Sequence, residues 1–161
     1  MKCFLNTYTD YDIAIIELGW NAFDGDFETD VRPFGENYES YAQTSVGYYC
    51  RIVQNIKVLN PNIFIVLVAS SGWSTRKVGF IEKVETIAEY FGCGIIVLDR
   101  NAIEDLQQNK YHGLNNEGGI IDYIHFTRSG YMMKGIVMAK ELNRVLFDNL
   151  VKINNERKYV L

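Results

Sequence analysis

Regular structure begins with "DIAIIEL" at 12–18, an apolar run rich in β-branched residues and closed by Gly19. Such a run offers water no polar face, which predicts a strand covered on both sides, as in a parallel sheet. A polar loop containing Gly and Asp follows through Gly35. Over 37–59 the period lengthens: Tyr41, Ser45, Tyr48, Ile52, Ile56 and Leu59 share one stripe, predicting a helix laid on the sheet and stopped by Pro61. The alternation then repeats. "IFIVLVA" at 63–69 predicts a second buried strand, "SSGWST" a loop, and 76–91 a helix with Phe80, Ile81, Val84, Ile87, Ala88 and Phe91 inward. "GCG" ends that helix, because glycine takes the left-handed conformation at little cost. "IIVLD" at 95–99 predicts a third strand, followed by a short helix near 102–108 and a polar Gly- and Asn-rich loop to about Ile120. The last helix is predicted over 127–152, with Thr127 as its N-cap.

Strand and helix in turn define an α/β chain, with right-handed crossovers and a parallel sheet carrying helices on its faces. At 161 residues it is expected to be a single domain, able to bury roughly 70% of its unfolded surface. Ligands of such sheets bind beyond the carboxyl ends of the strands, here the loops starting at Gly19, Ser70 and Asp99.

Charge narrows the partners. A net charge of -4 without a Lys or Arg block argues against capture by nucleic acid or an anionic membrane, and points to a small molecule or another protein. Cys3, Cys50 and Cys93 are odd in number and have no C-x-x-C spacing, so they read as core thiols rather than as a disulfide or zinc framework. The start "MKCFLNTYTD" lacks the apolar run of a secretory signal, and "IFIVLVA" is too short to span a bilayer, so as written the chain reads as cytoplasmic.

Two stretches carry candidate chemistry. In "DYIHFTRSGY", 122–131, Asp122 precedes His125 by three residues in the loop leading into the last helix. A carboxylate bonded to one imidazole nitrogen fixes the tautomer and leaves the other nitrogen to act as a base. The plain alternative is a helix-capping Asp and a structural His. In "ELGWNAF", 17–23, a strand ends in Gly-x-Asn, which sets the Asn21 carboxamide beyond the sheet as a donor to an oxyanion, or simply makes a turn.

Together, "DIAIIELGWNAF" and "DYIHFTRSGY" resemble two sequence blocks of the SGNH (GDSL-type) hydrolases, a strand ending G-x-N-D and a later D-x-x-H-x-x-x-x-G-[YF], in that order. The resemblance covers nearly the whole chain and implies a three-layer α/β/α, flavodoxin-like fold. It implies that Asn21 is the oxyanion-hole asparagine, His125 the general base and Asp122 its orienting partner, with Gly130 and Tyr131 at the start of the packing helix. Ala22 stands where the family has Asp. The G-D-S block with the nucleophilic serine is missing, and with it the family's first strand. Ser71 is the least unfavourable substitute; Ser70 and Ser74 share its loop, Ser40 and Ser45 fall in a predicted helix, and Ser129 follows His125. A buried strand at 12–18 without its neighbour would leave an apolar open edge. That predicts either pairing of the edge with a second copy or a chain that is the C-terminal portion of a longer protein.

The expected activity is therefore hydrolysis of small esters or acetylated carbohydrate, with no metal or organic cofactor required; Gly19 permits close backbone approach, and Trp20 and Trp73 either line the substrate or simply cap the core. The alternative is a binding or assembly module that keeps the scaffold without the nucleophile. "GCGIIV" lacks the third glycine of a dinucleotide fingerprint, and His112, Asp122 and His125 lack tight metal-ligand spacing.

Overall fold

The computed structural model describes residues 11–18, 24–30, 40–69, 79–98, 111–114 and 121–158. They form a mixed α/β chain with two sheets, one of three strands in the order β1-β2-β3 and one of two strands, β4-β5. The chain divides into two compact units, Met1–Ala69 with Lys77–Ile95, and Ser70–Arg76 with Ile96–Leu161.

In the first unit, β1 (Ile13–Glu17) runs parallel to β2 (Phe64–Ala69), from Ile13 opposite Phe64 to Glu17 opposite Val68. β3 (Gly94–Val97) lies on the other side of β2. Ile65 to Ala69 are fully buried, as a central parallel strand requires. β1 is different. Expected to be buried, it is the sheet's edge among the described residues, and Ile13 and Ile15 are 40% and 47% exposed. An apolar groove of about 340 Å³ runs beside it, lined by Tyr11, Ile13, Ile15, Ile56, Leu59 and Ile63 among others. β-Branched sequence made the strand, and position in the sheet decided its exposure.

The loop predicted through Gly35 contains one turn of helix, α1 (Phe27–Asp30). α2 spans Ser45–Leu59 rather than starting near 37, because the Thr44 hydroxyl caps it by accepting the Gly47 amide at 3.1 Å. Ser40 therefore precedes the helix. The inward face is also one residue along from the predicted stripe: Val46, Tyr49, Cys50 and Val53 are buried, whereas Tyr48 and Leu59 are exposed. The Tyr49 hydroxyl reaches the Ile16 carbonyl of β1. Gln54 is fully buried and accepts from the Tyr41 hydroxyl, so an inward polar side chain is satisfied. Asn60 ends α2, ahead of Pro61, and its side chain donates to the Tyr11 carbonyl at 2.8 Å.

α3 (Phe80–Phe91) buries Phe80, Val84, Ile87, Ala88 and Phe91 as the period predicts, and packs on β2. Gly92, at φ 61°, closes it: its amide bonds to Ala88 and Glu89, and the Cys93 amide returns to Ala88. Burial pushes the Cys50 thiol up to about 12 and the Cys93 thiol up to about 11, the behaviour of core thiols.

The second unit holds β4 (His112–Leu114), β5 (Ile121–Phe126) and the final helix α4 (Arg128–Lys158). The predicted loop to Ile120 thus contains a strand, and β4 and β5 pair antiparallel. The short helix predicted near 102–108 lies outside the described residues. α4 sets Gly130, Val137, Glu141 and Val145 inward. Its Arg144 bridges Glu141 at 2.9 Å and Asp148 at 3.1 Å.

Candidate functional site

His125 is the next-to-last residue of β5, where the strand is irregular. Phe126 pairs with His112, but Asp122 pairs with Gly113 and Ile121 with Leu114. Tyr123, Ile124 and His125 therefore stand opposite no residue of β4. In a regular strand, residues three apart point to opposite faces. A bulge breaks that parity and re-aims the side chains within it. The His125 side chain is exposed. Asp122 and His125, expected in a loop, belong to a strand because 121–126 find backbone partners in 112–114. The Asp122 side chain lies outside the described atoms.

The corner after His125 is tightly fixed. The Thr127 amide donates to the Tyr111 carbonyl at 2.7 Å. The Thr127 hydroxyl accepts the Gly130 amide at 3.2 Å, which is the predicted N-cap, and lies 3.0 Å from the Ser129 hydroxyl. Gly130 is needed for its missing side chain: a Cβ there would meet the Tyr111 carbonyl oxygen at 2.2 Å and the Phe126 ring at 3.0 Å. Phe126 in turn stacks at 5.1 Å on the buried His112 ring, meets the edge of Tyr131 at 5.6 Å and carries Lys134 Nζ 6.0 Å from its centroid. Backbone and rings thus hold the chain on the helix side of His125. His125 stands directly ahead of this fixed corner, with its side chain exposed.

In the first unit, β1 ends at Glu17, directly ahead of the second candidate stretch. Gly19, Trp20, Asn21, Ser71 and Trp73 lie outside the described residues, as do Ser70 and Ser74. The structure resumes three residues after Asn21 in a hydrogen-bonded anchor. Asp24 accepts both the amide and the hydroxyl of Ser45, at 2.8 and 2.6 Å, and these bonds hold its carboxyl below the ordinary 3.8. The buried Asp30 accepts the Asp26 amide at 2.9 Å and the Thr44 hydroxyl at 2.7 Å. Lys83 of α3 donates to the Gly25 carbonyl at 2.6 Å. Gly25, at φ 97°, sits where a Cβ would meet Asp30 at 2.4 Å and Thr44 at 2.5 Å. This network ties the segment after Asn21 to the starts of α2 and α3. The apolar periodicity does not reveal this network, whose only sequence signal is Thr44-Ser45 ahead of a helix and the Asp-Gly-Asp run at 24–26.

Ser45 is thus occupied by Asp24, and Ser129 lies at the start of α4 beside Thr127. Among the described residues no three His, Cys, Asp or Glu gather as a metal site, and no helix is long and apolar enough to cross a membrane. No family model matches the chain, and searches of curated proteins and of solved structures find no significant match.

Proposed function

We propose that the chain is part of an SGNH-type serine ester hydrolase with a three-layer flavodoxin-like scaffold, acting on small esters or O-acetylated carbohydrate. The observation that carries this reading is the setting of His125. It is exposed, lies in a bulge of β5, and stands two residues before the Thr127 cap. A parallel strand leading into Gly-Trp-Asn, and the tight Gly130 start of α4, add support.

In this mechanism a serine oxygen bonds to the ester carbonyl carbon as its proton passes to His125. Asp122 steadies the imidazolium, and the carbonyl electron pair moves to an oxygen held by the Asn21 carboxamide. Collapse expels the alcohol, which leaves with the proton from His125. Water repeats the cycle and frees the acid. In this reading Gly19, Trp20 and Trp73 line the substrate. Loss of the Asn21 donor costs about 2.7 to 4 kcal/mol of transition-state stabilisation. The serine is Ser71 or is supplied from outside this chain.

The second reading, a binding module without turnover, is favoured by the engagement of Ser45 and Ser129 at helix starts. Intact mass after fluorophosphonate treatment separates the two. One adduct that disappears in His125→Ala supports the hydrolase and maps its serine. No adduct, with retained binding of acetylated sugar, supports the module.

A further inference from the structure

α4 buries one side and leaves a second apolar stripe on the other. Steps of four and three residues from Met132 reach Ile136, Ala139, Asn143, Leu146 and Leu150. Met132, Ile136 and Leu150 are 65%, 64% and 58% exposed, and Phe147 beside them is exposed as well. Residues inward on α4, such as Val137, Glu141 and Val145, are not members of this series. The stripe is therefore additional to the helix's packing within its own unit. Alternating fours and threes are the period of a coiled-coil seam, in which the stripe faces a partner helix.

We propose that α4 pairs in parallel, in register, with α4 of a second copy of this chain through Met132, Ile136, Ala139, Asn143, Leu146 and Leu150. Three features select that occupant. The series contains one polar residue, Asn143, in its middle. In a parallel pair the two Asn143 carboxamides meet and bond to each other, whereas in an antiparallel pair each would face an apolar side chain. The positions flanking the seam suit a second copy too: Leu142 comes opposite Phe147, and Gly135 opposite Lys140, so no like charges face each other. The area is of the right order. Large side chains of this kind each withdraw on the order of 80 Å² from water. Met132, Ile136, Leu146 and Leu150 together with the flanking Phe147 then withdraw roughly 800 Å² in the pair, and the remaining flanking residues bring it toward the ~1,000 Å² a specific interface must reach.

Sedimentation equilibrium and a cross-linking variant test the pairing on the full chain. The wild type is expected at twice the monomer mass. Ile136→Glu should weaken the dimer roughly 30-fold or more, with circular dichroism and melting temperature unchanged. Met132→Cys should form an intermolecular disulfide on oxidation. In an antiparallel pair Met132 would lie near Leu150 of the partner, about 27 Å along the helix from its counterpart. A monomeric wild type at all concentrations overturns the proposal. So does a dimer that survives Ile136→Glu but is lost in Ile15→Lys, which would assign association to the β1 edge. Loss of fold in Ile136→Glu also overturns it, since the stripe would then be covered by this chain itself.

Discussion

Gly130 approaches Tyr111 so closely that a Cβ built on it would stand 2.2 Å from the Tyr111 carbonyl oxygen. That oxygen already accepts the Thr127 amide. In an ordinary helix Gly→Ala gains about 0.5–1 kcal/mol. Here overpacking, at about 1–3 kcal/mol, outweighs that gain. Gly130→Ala is expected to lower the urea midpoint, and Thr127→Ala, which removes only a cap, to cost about 1 kcal/mol. A Gly130→Ala protein more stable than wild type would show that the β5 to α4 corner is loose.

The Asp24 carboxylate gives α2 an acid-sensitive start. Its folded pKa lies below 3.8, so its contribution is fully present above that value and is lost as pH falls through the folded pKa. Melting temperature measured downward from pH 5 should therefore fall less steeply in Asp24→Asn than in wild type. Parallel curves would remove Asp24 from the acid response.

Thr44 donates to Asp30 and accepts from Gly47, so one side chain satisfies both the buried carboxylate and the helix start. Thr44→Ala removes both contacts. Its expected cost is at the upper end of the capping range, about 2 kcal/mol, read from chemical denaturation. Thr44→Ser keeps both bonds and should recover most of that loss.

Ile15 lies half-exposed on β1, the sheet's edge among the described residues, beside an apolar groove. Ile15→Lys should alter stability by no more than about 0.5 kcal/mol, while reducing light scattering from species larger than the α4 dimer. Unchanged scattering would mean that the edge is already covered.

Cys50, with its thiol pushed up to about 12 from 9.0, should hold about a thousand-fold less thiolate at pH 8 than an ordinary cysteine. Iodoacetamide on the native protein, followed by peptide mapping, should leave Cys50 unmodified. Labelling before unfolding would contradict its burial.

Where one physical signal dominated, the fold was legible in the sequence. The α3 face and its Gly92 ending follow from period and backbone conformation alone. α2 was harder because Tyr41 continues the apolar stripe across Thr44, and only the Thr44 to Gly47 bond shows where the helix begins. Its inward face is Val46, Tyr49, Cys50 and Val53, and Gly47 lets the start of the helix pack on the Ala42 carbonyl, where a side chain would not fit. β4 is not legible in the sequence because three residues, His112–Leu114, carry too little pattern to separate a strand from a loop. Thr127 was readable as a cap, but the bulge ahead of it was not, since pairing between 112–114 and 121–126 is non-local.

That bulge has a consequence for how the site can change over time. Three residues of β5 lie between one paired position at Asp122 and the next at Phe126. Their number is not dictated by β4, so the stretch is a spacer of adjustable length. An insertion or deletion at 123–124 would turn His125 to a new direction while leaving the anchored partners on either side in place. A lineage carrying this fold can thus retune its histidine by indels, where a regular strand would restrict it to substitutions.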